Sequence, residues 1–227
     1  MVVAMTLAAT LDGLFIGRVA QLAGDSRSSA IVKTATREPC LLTTEGLAGD
    51  EQADRRVHGG AQKAVHLYPA EHYARLAAAF PEARHMVPGG LGENLSTRGL
   101  TEATVCIGDV FRINAARLQV SQPRSPCWKI DHHAGVDGMV ALIVAERLNG
   151  WYFRVLAGDR IAAGDTLELD SRPAGAVTLA EYLDVLHAAR PPLEQLLRIA
   201  AAPGLSPDKR QRLEERAEWL RSNGSDE

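Results

Sequence analysis

The feature that most constrains this chain is a repeated Gly-Asp pair. It stands at 24–25, 49–50, 108–109, 158–159 and 164–165, and the last three pairs punctuate short apolar-rich runs. Residues 104–107 lead into Gly108-Asp109 and then into 110–113. A turn at Asn114 follows, then 117–121 with apolar residues at every second position. Farther on, 151–156 and 166–169 flank the two final Gly-Asp turns. Glycine and aspartate at such junctions are turn chemistry, and the pairs are given no catalytic role. Short strands joined by such turns predict a closed or nearly closed, mainly β, barrel-like sheet rather than alternating β-α-β units.

Two helices are expected to interrupt the strands. One spans 69–80, with proline at its start and good helix formers after it; the other spans 140–148 and stops at Asn149-Gly150. The texture changes after Ser171. The Arg172-Pro-Ala-Gly175 stretch reads as a linker, and three short helices are expected beyond it. Thr178 and Glu181 fit a capping box, with Leu179, Leu183 and Leu186 on one face. Pro191-Pro192 opens the second helix, whose apolar stripe is Leu193, Leu196, Leu197 and Ala200. Ser206-Pro207 opens the third, where Leu213, Ala217 and Leu220 share a face. The expected organisation is a barrel-like domain over 1–171 and a small helical element over 176–222. So few residues bury little surface alone, so the element should pack on the barrel or on another subunit of a homodimer.

Composition excludes several functions. With 46% hydrophobic and 23% charged residues and a net charge of −3, the chain has no global field favouring nucleic acid, and any anion site must be local. Three cysteines (Cys40, Cys106 and Cys127) with no C-x-x-C spacing argue against a disulfide scaffold or a zinc ribbon and fit a reducing compartment. There is neither a basic leader before Arg18 nor an apolar run long enough for a membrane span. The expectation is a cytoplasmic protein that binds neither nucleic acid nor membrane.

Three polar clusters stand out. Residues 46–68 hold acids, Arg55, Arg56, His58, Lys63 and His66 around Gly59-Gly60, where a missing Cβ lets backbone approach a ligand. The cations there suit phosphate or carboxylate, although a solvated loop with internal ion pairs has the same composition. Residues 88–95 carry three glycines in five positions followed by Glu93-Asn94, without the ending of a phosphate-binding loop. In the third cluster Pro123 and Pro126 hold Gln122 and Ser125 extended, so Cys127 leaves the sheet on a stiff, non-helical loop. Arg112, Arg117, Arg124 and Lys129 lie between 111 and 130 with no acid among them, a setting that favours thiolate. Cys127 therefore reads as a nucleophile, a metal ligand or a small buried hydrophobe. Cys106 reads as packing within a strand. His58, His66 and His72 lack zinc-hydrolase spacing, and His132-His133 leaves a Cys–His pair open.

Several stretches in this order resemble the MOSC domain, named after the C-terminal part of molybdenum-cofactor sulfurases, and within it the YiiM-type branch. They are G-L-A-G-D-E-Q-x-D-x-x-V-H-G-G-x-x-K-A-V-x-x-Y-P at 46–69, G-L-G-E-N-L-S-T-x-G-L-T-E at 90–102, I-G-D-V-F-R at 107–112 and V-S-Q-P-R-S-P-C-x-K at 120–129. The likeness runs over most of 12–170, and the helical tail is similar to the C-terminal extension of that branch. The resemblance implies a barrel that binds the molybdenum cofactor, with the cysteine of P-R-S-P-C, here Cys127, as metal ligand and catalytic residue. It also implies reduction of N-hydroxylated compounds, such as hydroxylaminopurines, to amines. A separate redox protein would supply electrons, since no ferredoxin-like cysteine set is present. By residue type and motif membership, Arg56, Lys63 and Arg124 would hold anionic groups of the cofactor. Asn94 and Gln122 would hold pterin edges, Gly59 and Glu93 would belong to the same binding loops, and His58 would supply a proton near the metal. Two alternatives stay open: a carrier of cofactor or sulfur without turnover, and a metal-free cysteine enzyme.

Overall fold

The computed structural model describes residues 7–53 and 59–223. Seven strands close into a barrel: β1 (Ala8–Ile16), β2 (Val65–Pro69), β3 (Leu95–Thr97), β4 (Val110–Ile113), β5 (Ala116–Pro123), β6 (Trp151–Ala157) and β7 (Thr166–Ser171). The order around the wall is β7-β4-β5-β6-β2-β3-β1, and β1 returns to β7 through pairs such as Ala9↔Leu167. Every pair is antiparallel except β2–β3, where Leu67 lies beside Leu95 in parallel register. A parallel pair needs a long crossover, and residues 70–94 supply it with α1 (Glu71–Ala79) and the glycine loop.

Alternation decides which side chains fill the barrel. Val65 and Leu67 of β2 point inward with Phe111, Leu118, Val120, Trp151 and Phe153. Tyr68 points outward into a second apolar cluster with Tyr73, Leu76 and Leu91. That cluster is covered by α1, α2 (Lys129–Ala134) and α3 (Met139–Glu146). The strand is thus buried on both faces, and polar residues on its outer face sit in protein rather than water.

The tail forms α4 (Leu179–His187), α5 (Leu193–Ala200) and α6 (Pro207–Asn223). The capping box is present: Thr178 accepts from the Glu181 N–H, and the Glu181 carboxylate accepts from the Thr178 N–H. Leu183, Leu196, Leu213 and Ala217 are buried in the same cluster as the barrel interior, so the helices pack on the barrel of their own chain. The expected linker is anchored, because Arg172 makes a two-pronged contact to buried Asp109 at 2.8 and 2.7 Å.

Several boundaries differ from expectation. The first helix begins at Glu71, because Pro69 belongs to β2 and pairs with Thr97. Helix α3 stops at left-handed Arg147 (φ 61°), before Asn149-Gly150. Those two residues tether the third cluster instead: Asn149 Nδ2 donates to the Arg124 carbonyl and the Gly150 carbonyl accepts the Arg124 N–H. Cys106 is not in a strand. It makes an isolated bridge to Thr178 across a turn that Asp109 caps by accepting the Cys106 N–H at 2.8 Å. Strands β1, β2 and β3 and helix α2, just after Cys127, have no counterpart among the expected elements. No helix among the described residues is long and apolar enough to cross a membrane.

Candidate functional site

The three clusters converge on one cleft beside the outer face of β2, with about 630 Å³ of empty space, part of it shared with solvent. The first supplies Asp50, Gln52, Lys63 and His66, the second Gly92 and Asn94, and the third Arg124, Cys127 and Lys129. Tyr152 from β6 and Lys33 from the loop after β1 also line it.

The floor is a buried ion pair. Lys33 Nζ donates to the Asp50 carboxylate, and both side chains are about 6% exposed. Asp50 also accepts from the Gly17 N–H at 2.7 Å and from Asn94 Nδ2 at 2.9 Å. Removing two charges from water is costly, and a buried pair persists only with its remaining hydrogen-bonding capacity met, as here. Burial lowers the Lys33 pKa, and the Asp50 charge pulls it back up in part. Asn94 locks the pair to the fold: its Oδ1 accepts the His66 N–H at 3.1 Å and its Nδ2 donates to the Phe15 carbonyl at 3.2 Å.

His66 is 4% exposed. Burial, then the charge on Arg124, holds its pKa well below the ordinary histidine range, against a contact with the Gly92 backbone that pulls the other way. The ring is therefore neutral, and its Nε2 is buried with no hydrogen-bond partner among the described residues. Tyr152 lies 5.1 Å from it, ring centre to ring centre, and burial raises its phenol pKa. Among the described residues, Lys33, Lys63, Arg124 and Lys129 line the cleft against two carboxylates, Asp50 and Glu51. The described lining thus carries more cations than carboxylates in a chain of net negative charge.

Cys127 is half-buried at the cleft wall, immediately before α2. The other thiols are buried, and burial pushes Cys106 up to about 11. Of the residues singled out from sequence, Lys63, Asn94, Arg124 and Cys127 line the cleft. Three do not. Gln122 is 1% exposed and its Oε1 accepts from Ser206 Oγ at 2.6 Å, so its amide turns toward the tail. Glu93 is fully buried under the glycine loop, where it accepts from the Gly89 N–H at 2.6 Å, Tyr73 Oη at 2.7 Å and the Leu91 N–H at 3.2 Å. The Gly59-Gly60 pair makes room for a side chain of the protein: a Cβ at Gly59 would fall 2.0 Å from Gln52 Oε1, which also accepts the Gly60 N–H at 3.1 Å. Arg56 and His58 lie outside the described residues.

Sequence reasoning misses Lys33, Asp50, His66 and Tyr152 as site residues. Asp50 is discoverable, since it belongs to a Gly-Asp pair inside the first motif, but the pair by itself reads as turn chemistry. Lys33 carries no local signal. His132 and His133, adjacent in sequence, part company: His132 Nε2 contacts the Ala23 carbonyl at 2.9 Å, while His133 stacks on His85 at 4.2 Å. Both line a separate, wider groove beyond Trp128 that meets the cleft at Ser29.

The described residues thus form a closed barrel with one half-buried thiol in a cleft lined by Lys33, Lys63, Arg124 and Lys129. Residues 54–168 match the family described as MOSC domain, and the chain belongs to that family. It is 40% identical to protein YiiM of Escherichia coli (strain K12), over 85% of this chain and 86% of that one. It is 32% identical to a protein named reductase from Gibberella moniliformis, over 79% of this chain but only 32% of that longer protein. The crystal structure of YiiM from Geobacillus stearothermophilus superposes with a TM-score of 0.79 at 28% identity, covering 92% of this chain and 99% of that one.

Proposed function

We propose that the cleft holds the molybdenum cofactor through Cys127 and that the protein reduces N-hydroxylated compounds, hydroxylaminopurines among them, to amines. The observation that carries this reading is the convergence of one half-buried thiol, four cations and a buried imidazole nitrogen, without a partner among the described residues, in a single cleft. Among the described residues no three His, Cys, Asp or Glu side chains cluster as ligands for a bare ion. A metal that arrives with its own organic ligands needs one soft protein donor, and Cys127 fits that need. Lys63, Arg124 and Lys129 suit the anionic groups of the cofactor, and His66 Nε2 suits an N–H of its pterin. MOSC membership and a relative named a reductase support the same reading.

When bound, the cofactor supplies the two-electron chemistry that takes oxygen from an N–O bond. The balance is R–NH–OH plus two electrons and two protons giving R–NH2 and water, with electrons from a separate redox protein. The chain's own part is orientation and electrostatics. The Asn149 and Gly150 backbone contacts hold Arg124, the Lys33–Asp50–Asn94 unit holds the floor, and neutral His66 and Tyr152 form a low-polarity wall. The wider groove beyond Ser29 offers substrate an approach.

The test is molybdenum and pterin content, with turnover of a hydroxylaminopurine under a chemical reductant, for wild type and Cys127→Ser made in a cofactor-producing host. Wild type should contain both and turn over, and the variant should lack molybdenum. Full molybdenum and activity in Cys127→Ser, or neither component in wild type, would overturn the proposal. Bound cofactor without turnover would reduce the protein to a carrier.

A further inference from the structure

The three C-terminal helices cover barrel surface, and three of their hydrogen bonds, from Ser206 and Lys209, reach the segment that carries Cys127. The turn 203–206 between α5 and α6 sits flush on the barrel: a Cβ at Gly204 would fall 2.5 Å from Gly108 Cα, and one at Gly108 would fall 2.1 Å from the Pro203 carbonyl oxygen. Both glycines have positive φ, at 86° and 82°, so neither position tolerates a side chain.

At this contact β5 is irregular. Its register against β6 shifts between Val120 and Gln122, which leaves Ser121 at a bulge. The Ser206 N–H donates to the Ser121 carbonyl at 3.0 Å, and Ser206 Oγ donates to Gln122 Oε1. Ser206 is fully buried, and it precedes the proline that opens α6, a position from which serine ordinarily caps a helix. Its hydroxyl is turned to the barrel instead. One turn on, Lys209 Nζ donates to Ser125 Oγ at 3.1 Å, two residues before Cys127. A second route reaches the neighbour of Lys63 in the cleft lining. Arg154 joins the Gly204 carbonyl at 2.8 Å to Gln62 Oε1 at 2.8 Å, and Ser121 Oγ donates to the Gln62 carbonyl, next to Lys63.

We propose that the turn between α5 and α6, with the start of α6, sets the position of the Cys127 loop, Ser206 and Lys209 acting as positioning residues. The physical reason is leverage. Between Gln122 and Cys127 two prolines remove backbone freedom, so a displacement at the bulge is carried to the thiol and to Arg124 rather than absorbed on the way. The proposal rests on the function above only in giving Cys127 its role as metal ligand. The clamp itself can be tested on metal-free protein.

The readout is the rate at which iodoacetamide, a neutral reagent, alkylates Cys127 well below the unfolding midpoint, with buried Cys40 and Cys106 as silent references. The double variant Ser206→Ala/Lys209→Met loses two side-chain hydrogen bonds and should change that rate by about fivefold or more, the factor that one of them allows. Lys209→Arg alone should keep the wild-type rate. Leu213→Ala, which weakens α6 packing without touching the clamp, should lower the midpoint and leave the alkylation rate unchanged. An unchanged rate in the double variant, or an equal change in Leu213→Ala, would overturn the proposal and leave the tail as a cover. In cofactor-loaded protein the double variant should lose molybdenum faster on gel filtration. If Cys127→Ser keeps its molybdenum, the proposed role of the site fails, while the alkylation rates still decide whether the clamp exists.

Discussion

The glycine loop at 88–94 and the proline loop at 121–129 meet at the same cleft but direct their polar groups differently. In the first, Glu93 turns inward and satisfies two loop N–H groups and the Tyr73 hydroxyl, while Asn94 is consumed by Asp50, the Phe15 carbonyl and the His66 N–H. In the second, the Ser121, Gln122 and Ser125 side chains are taken by Gln62, Ser206 and Lys209, but Arg124 is held by its backbone: its N–H and carbonyl go to Gly150 and Asn149. The side chains of Arg124 and Cys127 are left at the cleft wall. A loop that satisfies itself through side chains is scaffold. A loop fixed through its backbone has side chains to give to a ligand.

The sharpest way to break this contrast is Cys127→Ser. Loss of molybdenum and activity together is expected, with an unfolding midpoint within a few degrees of wild type, since the thiol is only half-buried. Next in size is the floor. Asp50→Ala leaves the Lys33 ammonium buried without its partner and should cost about 3–5 kcal/mol in urea unfolding. A cost below about 1 kcal/mol would mean that water reaches Lys33. Glu93→Gln should cost about 1–3 kcal/mol through the glycine loop, while iodoacetamide still reacts with Cys127 at the wild-type rate. A slowed Cys127 would show that the two loops are not independent.

The smallest effect concerns the groove beyond Trp128. Burial, then the charges of His85, Arg84 and His132, lowers the His133 pKa to about 4. The unfolded chain takes up this proton near pH 6.5, but the folded chain does so only near 4. The contribution is therefore present above 6.5 and lost as pH falls toward 4. Urea unfolding at pH 7 and pH 4.5 should show a smaller loss in His133→Gln than in wild type. Equal losses would assign the acid sensitivity elsewhere.

Much of the architecture was legible because its signals are local. The Gly-Asp turns, the Thr178–Glu181 capping box and the apolar stripes of the tail need only nearest neighbours along the chain, and they recur in the structure at those residues. What escaped was set by distant contact. Helix α3 stops at Arg147 because Asn149 and Gly150 are engaged with Arg124, 25 residues away for Asn149. Pro69 joins a strand because Thr97 waits beside it. Gln122 belongs to the motif that carries Cys127, yet a serine 84 residues on takes its amide.

The kind of fold and the family pattern could be read from the chain alone, and Cys127 could be singled out there, since turn propensity, periodicity and motif order are properties of short stretches. Which polar side chains face the cleft depends instead on contacts between distant segments. A side chain's hydrogen-bonding capacity is finite, and whether the fold consumes it or leaves it facing a cleft depends on partners such as Lys33, Ser206 and Tyr152 that no local pattern announces.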